Sequence, residues 1–345
     1  MKKSLYFFAT LVLFLLPKTY SQEIYVDSQN GNDTYVGDLE APFKSLSNAI
    51  AYVNSLTGKG TITIKLFPGL YVLNKRLDIN PVRMMTDSTR FVIEAVHMPD
   101  DADWSQEKMP KIQSVSSNNS ETQFPHATGF LVSSAYVTIR GLKFLGNANP
   151  AVNYYYPISK ENQELADLEV SQCYFIGNKE TAPIQGGVWA HGQNNSVANC
   201  VFYECRNAVL FFNNVDGFNI SNSIVYGAYE SAFWFGPKDY EFSFNNNVIV
   251  NNNNFLVGPK NLKYSSVFSN SIIANNKGYV GYWSRDEQRV LELKNPDIKE
   301  NGLLKSGEFN LKLNDAIKLD KDHLHLTGDT KKKKIKAGIF KDGFK

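Results

Sequence analysis

One pattern recurs at a nearly fixed interval through the middle of the chain, and it limits what the chain can fold into. It reads Asn199-Cys200-Val201-Phe202, Asn222-Ser223-Ile224-Val225, Asn246-Asn247-Val248-Ile249 and Asn270-Ser271-Ile272-Ile273, with the asparagines 23, 24 and 24 residues apart. Gln172-Cys173-Tyr174-Phe175 fits one step earlier, and Gly141-Leu142-Lys143-Phe144 earlier again. Each interval holds three short runs rich in Val, Ile and Phe, separated by Asn and Gly. One alternates before the Asn (Gly217-Phe218-Asn219-Ile220) and one is apolar after it (Val248-Ile249-Val250). A third opens the repeat (Ala208-Val209-Leu210-Phe211, Ala232-Phe233-Trp234-Phe235). Three strands per interval with nothing helical between them cannot be a βαβ unit. The Leu-x-x-Leu-x-Leu frame of leucine-rich repeats is absent, and a propeller blade needs roughly 40 residues or more. What remains is a coil that stacks on its own copies, with three parallel sheets around a dry core. The asparagines then form a ladder, each side-chain amide within reach of its equivalent ~4.8 Å along the stack.

At 345 residues and 43% hydrophobic, the chain has ample apolar material for a core. Met1-Lys2-Lys3 followed by the apolar run Leu5 to Leu16, with Thr19 and Ser21 placed for a cut before Gln22, reads as a signal peptide over 1–21. The run is shorter than the ~20 residues a membrane span needs, and no later stretch is long or apolar enough, so no transmembrane segment is expected. Export predicts a periplasmic or extracellular location. Losing 1–21 removes Lys2, Lys3 and Lys18 and no acid, so the formal charge of +2 becomes −1. That balance gives no support for a nucleic-acid binder. Cys173, Cys200 and Cys205 are too few for a disulfide scaffold and lack metal-type spacing. Cys173 and Cys200 stack one step beyond the ladder, where a disulfide is possible and apolar filling is expected.

The N-terminal part differs. Apolar residues at Leu46, Ala49, Ile50 and Val53 have a helical period, and Ser45 or Ser47 is placed to cap that helix. A helix here would cover the open end of the stack. The series Ile24-Tyr25-Val26, Gly31-Asn32-Asp33, Pro42-Phe43-Lys44-Ser45-Leu46, Ala49-Ile50 and Phe67-Pro68-Gly69-Leu70-Tyr71 resembles the opening of secreted right-handed parallel β-helix proteins of the pectate-lyase-like superfamily. Phe309-Asn310-Leu311, Asp315-Ala316-Ile317 and Ala337-Gly338-Ile339-Phe340 resemble their tail. The expected fold is therefore all-β, a right-handed parallel β-helix with three-strand coils of about 24 residues and an N-terminal capping helix. Residues 22–128 would form the cap and first coils, 129–285 the regular coils and 286–345 a C-terminal coil or tail. The resemblance implies a carbohydrate-active protein without choosing among lyases, glycoside hydrolases, esterases and binding proteins.

Aligning the opening strands turns sequence positions into columns. With Val188, Val209, Phe233, Phe255 and Val280 inward, one outward column is Trp189, Leu210, Trp234, Leu256 and Gly281. The next is His191, Phe212, Gly236, Gly258 and Trp283. Taking 151–155 as the same strand one coil earlier puts Tyr155 beside His191. Trp189, Trp234 and Trp283 suggest a platform on which the C–H faces of sugars stack; the alternative is a loop that covers them as a secondary core. The turn before each strand carries Gln185, Arg206, Glu230, Asn252 and Lys277, and the turn after it Gln193, Asn214, Lys238, Lys260 and Arg285. Their cationic bias suits an anionic polysaccharide or oligosaccharide.

Elimination from a uronate needs the carboxylate neutralised, a base for H5 and an acid for the leaving oxygen. Arg206 or Lys238 would neutralise, and His191 and Tyr155 would be base and acid. Lys260 and Arg285 would bind substrate with the tryptophans. Glycoside hydrolysis would instead pair Glu230 with Glu204, Asp239 or Asp286, and a third possibility is a non-catalytic glycan-binding surface protein. No cofactor is expected; Ca²⁺ has no cluster of acids on this face to hold it. The basic run Lys331-Lys332-Lys333-Lys334 reads as a solvated tail, His323 and His325 as an exposed strand face, and the protein as a monomer.

Overall fold

The computed structural model describes residues 21–236, 242–259 and 267–283, and the shorter stretches 291–293, 299–301, 311–313, 323–328 and 335–343. Their backbone winds into a right-handed parallel β-helix. One coil contributes Ser196–Ala198 to a first sheet, Val201–Tyr203 to a second and Asn207–Phe211 to a third. The next contributes Phe218–Ser221, Ile224–Tyr226 and Ser231–Phe235. Among the described residues the three sheets have ten, eight and nine strands. Every pairing within them is parallel except that of Leu291–Leu293, which runs antiparallel to Gly278–Trp283 at the end of sheet 3.

The recurring asparagines sit where the sequence places them, at the sharp turn from sheet 1 to sheet 2. Gln172, Asn199, Asn222, Asn246 and Asn270 all have left-handed backbone, φ between 47° and 58°, and Gly141 takes the same place with φ 74°. Asn tolerates this conformation better than other residues with a Cβ, which explains its recurrence. The amide ladder is only partly formed. Asn246 donates to Asn222 one coil back, and Asn270 to Asn245 at 3.4 Å. Gln172 and Asn199 turn their amides outward instead, to the carbonyls of Gly338, Ile339 and Phe340 in the C-terminal segment. One residue further on, Cys173 and Cys200 are buried free thiols and Asn247 is buried in the same column. Asn247 accepts from Ser223 N at 2.9 Å and donates to Ile220 O at 2.8 Å.

Inside the coils, like stacks on like. Phe144, Phe175 and Phe202 form a face-to-face column with centroids 5.0 and 4.6 Å apart, and Phe211 stacks on Phe235 at 4.9 Å. Helix α1 (Leu46–Ser55) buries Leu46, Ala49, Ile50 and Val53 against the N-terminal strands, with the Ser45 hydroxyl capping Asn48 N at 3.1 Å. No helix among the described residues is long and apolar enough to cross a membrane.

The outer faces of the three sheets have different fates. Sheet 1 carries charge, with Lys65 between Glu23 and Glu94, Arg140 on Glu94, and Arg90 on Glu169. Sheet 2 is covered. Tyr174, Val201, Ile224 and Val248 pack against Trp104, Met109, Leu324 and Ile339 in a second apolar cluster. His323 and His325 belong to that cover and are only 8% and 4% exposed, which corrects the exposed strand face expected for them. Their segment is drawn down by Tyr174, whose hydroxyl donates to His323 O at 3.0 Å. Sheet 3 keeps an open recess.

Asn222→Ala removes both the side chain suited to the left-handed turn and the acceptor for Asn246. It should destabilise by about 1–2 kcal/mol in denaturant titration, while Asn222→Gly should cost less despite losing the same acceptor.

Candidate functional site

The strands of sheet 3 have a bend that consecutive burial reveals. Ala208 and Val209 both point inward, as do Ala232 and Phe233, and Phe255 and Leu256. On either side of the bend the strand presents Asn207, Leu210 and Phe212 outward, matched one coil on by Ser231 and Trp234. Trp234 pairs with Val257, not Leu256, because Phe233 pairs with Leu256. The one-residue slip moves Leu256 into the core and Val257 into the outward column.

Over the first coils of this face lies a strap, residues 119–126. Ser120 and His126 exchange backbone hydrogen bonds at 3.0 and 3.1 Å across its base, and Arg76 holds Asn119 O at 2.8 Å. The strap carries Phe124 onto Trp189, rings stacked at 6.2 Å, and His126 against the same indole at 5.2 Å. Tyr156, His191 and Phe212 close the remaining sides at 4.6, 5.7 and 5.3 Å. Trp189 is therefore 0% exposed and belongs to a small satellite core. Trp234, partly exposed and stacked on Phe212 at 5.1 Å, remains on the open side. Backbone pairing places Trp283 beside Pro259.

His191 and Tyr155 do not form an acid–base pair. The preceding strand is Tyr155–Lys160, and Lys160 pairs with Ala190, so Glu161 is the residue that falls beside His191. Tyr155 starts that strand and points into the main core at 1% exposure, where burial pushes its phenol well up. His191 is 3% exposed, and burial, partly countered by the Glu161 charge, brings its imidazole down to about 4. It is thus neutral at neutral pH and stacked on Phe212 at 5.6 Å. Lys160 also points inward, its ammonium bonded to Leu165 O at 2.9 Å and Asn195 Oδ1 at 2.5 Å, and burial lowers it to about 7.

What the sheet does bring together is a polar centre at the turn before the strands. Arg206 Nε lies 2.7 Å from Glu230 Oε2, and Arg206 Nη1 donates to Gln185 Oε1 at 3.1 Å. Asn207 donates to the same Glu230 oxygen at 2.8 Å and accepts from Ser231 Oγ at 2.7 Å, so its amide orientation is fixed from the coil above. Burial pushes up the phenol of the neighbouring Tyr156, against the opposing pull of Arg206. This centre joins two recesses. One, of about 740 Å³, is walled by Phe124, Tyr154, Tyr156, Leu210, Phe212 and Trp234, with Gln123 at its rim. The other, of about 540 Å³, is polar and lined by Asn153, Lys179, Tyr229, Asn253 and Asn254. Lys179 Nζ lies 5.7 Å from the Tyr229 ring centroid.

Sequence reasoning placed Arg206, Glu230 and Trp234 on this face, and they line the recesses. It missed Asn207, Tyr154, Tyr156, Lys179 and the strap residues Gln123 and Phe124. Asn253, not the buried Asn252, faces the recess. The one available signal for the strap was the pair of aromatics in Phe124-Pro125-His126, within a polar stretch that fits no coil. Lys238, Lys260 and Arg285 lie outside the described residues, as do 1–20 of the expected leader and Lys331 to Lys334. Among the described residues no group of three or more His, Cys, Asp or Glu side chains is arranged to hold a metal ion.

No protein-family model matches the sequence, and no curated protein matches it. Solved structures do match the fold. A rhamnogalacturonan lyase aligns over 93% of this chain and 100% of its own, with a TM-score of 0.52 and 10% identity. The pectate lyase Pel9A aligns over 84% and 77%, with a TM-score of 0.54 and 15% identity. Both likenesses establish the parallel β-helix fold alone.

Because Trp189 is enclosed, Trp189→Ala should act on stability, by roughly 3–5 kcal/mol. Trp234→Ala should cost much less in thermal or denaturant unfolding. Equal, small effects would show that the strap does not cover Trp189.

Proposed function

We propose that the protein is carbohydrate-active, and that it binds a uronate-containing polysaccharide or its oligosaccharides in the sheet-3 cleft and breaks them by β-elimination. The observation that carries this reading is the Arg206–Glu230 pair between an aromatic recess and a polar one. Sugar rings offer C–H faces to Trp234 and Tyr154 while their hydroxyls meet Gln185, Asn253 and Asn254. Arg206 spends Nε on Glu230 and Nη1 on Gln185, which leaves its Nη2 edge for the substrate carboxylate. Glu230 and Gln185 hold the guanidinium in place, and Asn207 holds Glu230. Neutralising the carboxylate makes H5 removable. Lys179, the one lysine lining the polar recess, takes H5. The C4–O4 bond then breaks, the C4=C5 double bond forms, and O4 takes a proton from solvent. His191 and Tyr155, enclosed elsewhere, have no part in it.

Hydrolysis is less well supported. It needs two carboxyls about 5–9.5 Å apart, and Glu230 is the one carboxylate among the described residues lining either recess. Glu204, a partner considered from sequence, lies exposed on the turn between sheets 2 and 3 with φ 51°. Asp239 and Asp286 lie outside the described residues.

Incubation with uronate-containing glycans should release products with the ultraviolet absorbance of an unsaturated uronate. Arg206→Ala should lower kcat/KM by ~10²-fold or more, the scale of losing one charge-stabilising donor. Lys179→Met should abolish turnover and retain binding. New reducing ends without that absorbance, lost in Glu230→Gln, would establish hydrolysis instead. Binding without any cleavage would establish a glycan-binding protein.

A further inference from the structure

The strap is more than a cover for Trp189. We propose that Gln123 and Phe124 form a sugar-binding wall of the cleft, contacting the residue next to the one held by Arg206, and that the pair of buried His126 and half-buried Glu161 beneath them sets where that wall stands. The proposal rests on the carbohydrate reading of the cleft and adds a specificity element to it.

Three independent features lead to it. The first is placement. Gln123 and Phe124 line the same recess as Arg206, Glu230 and Trp234, and Phe124 meets the exposed Tyr154 edge-on at 5.2 Å, so two aromatic rings from different segments form one wall. The second is backbone geometry. Gln123 has φ 70°, a left-handed conformation unfavourable for a residue with a Cβ, yet it occupies an exposed position at the rim of the recess. Strain of this kind persists where the surroundings enforce it, and it clusters at ligand-binding positions.

The third feature is the anchor. His126 is fully buried. Its Nδ1 lies 2.8 Å from Phe124 O and must donate to that carbonyl, which fixes the ring and ties it to the wall residue itself. Its Nε2 then faces Glu161 Oε1 at 3.4 Å, an ion pair when the ring carries both protons. Glu161 also accepts from Ser120 Oγ at 3.1 Å and Ser159 Oγ at 3.4 Å. One carboxylate at the end of the strand beside Trp189 thus meets both ends of the strap, Ser120 by a hydrogen bond and His126 at ion-pair distance. Burial works against the charge of Glu161, but His126, Thr122 and Ser120 hold it at about 2, so it is ionised at any working pH. Neither His126 nor Glu161 lines either of the two recesses; they act through Phe124 and Gln123 and are positioning residues.

The test measures kcat and KM on uronate oligosaccharides of increasing length, with binding followed by calorimetry. Gln123→Ala and Phe124→Ala should each raise KM about tenfold for oligosaccharides long enough to reach the strap, and much less for the shortest substrate. The loss should fall on KM rather than kcat, and Phe124→Tyr should restore most of it. Glu161→Gln should reproduce the same length-dependent pattern, a selectivity that simple loss of folded protein does not produce. If Glu161→Gln does not fold, the two wall variants decide alone. The proposal is overturned if the wild type is active but neither wall variant changes KM with substrate length. If the wild type neither binds nor cleaves any uronate oligosaccharide, the carbohydrate reading itself falls and takes the wall with it.

Discussion

Lateral register between successive coils is the constraint on which everything else depends. It is maintained at two corners where the chain must turn sharply with a positive φ. The corner between sheets 1 and 2 uses Gln172, Asn199, Asn222, Asn246 and Asn270; that between sheets 2 and 3 uses Glu204, Gly227, Asn251 and Asn275. Each corner repeats because the coil before and the coil after present the same shape. The carbonyl of Cys200 then accepts from Ile224 N at 2.9 Å, and that of Asn247 from Ile272 N at 2.8 Å, with no freedom to slip. A one-residue slip would exchange inside for outside at every position of a strand. Burial of Phe144, Phe175 and Phe202 as one column makes such a slip costly over several coils at once.

Register also decides where chemistry is available. The charged ladder on sheet 1 is solvated, and the C-terminal segment seals sheet 2. On sheet 3 the strap seals the N-terminal coils and leaves the coils of Arg206 and Glu230 open. A polar centre framed by aromatic rings on a rigid parallel sheet is an arrangement in which side chains keep their positions without a ligand. The coil period brings Asn207 and Ser231, 24 residues apart, into hydrogen bond, and these in turn orient Glu230.

The regular part of this molecule was readable because its rule is local and periodic. The asparagine spacing located the corners, alternation located the strands, and the helical period over Leu46, Ala49, Ile50 and Val53 located the cap. Columns could then be drawn, and Arg206, Glu230 and Trp234 fell where the structure has them. The failures came wherever the period breaks. The insertion between Lys143–Asn147 and Tyr174–Ile176 hid the start of the strand Tyr155–Lys160, and that error carried Tyr155 into a cleft it faces away from. The bend that turns both Ala232 and Phe233 inward displaced Leu256 by one position. The strap belongs to no coil, so no period could show that it covers Trp189 and buries His126. A column states which residues are neighbours along the stack; it does not state what lies on top of them.

The most direct measurement is a crystal structure of the protein with a bound uronate oligosaccharide. The account requires a sugar carboxylate on Arg206, a ring against Trp234, and Trp189 still enclosed beneath Phe124. A ligand bound on another face, or one stacked on a solvent-exposed Trp189 with the strap displaced, would contradict it.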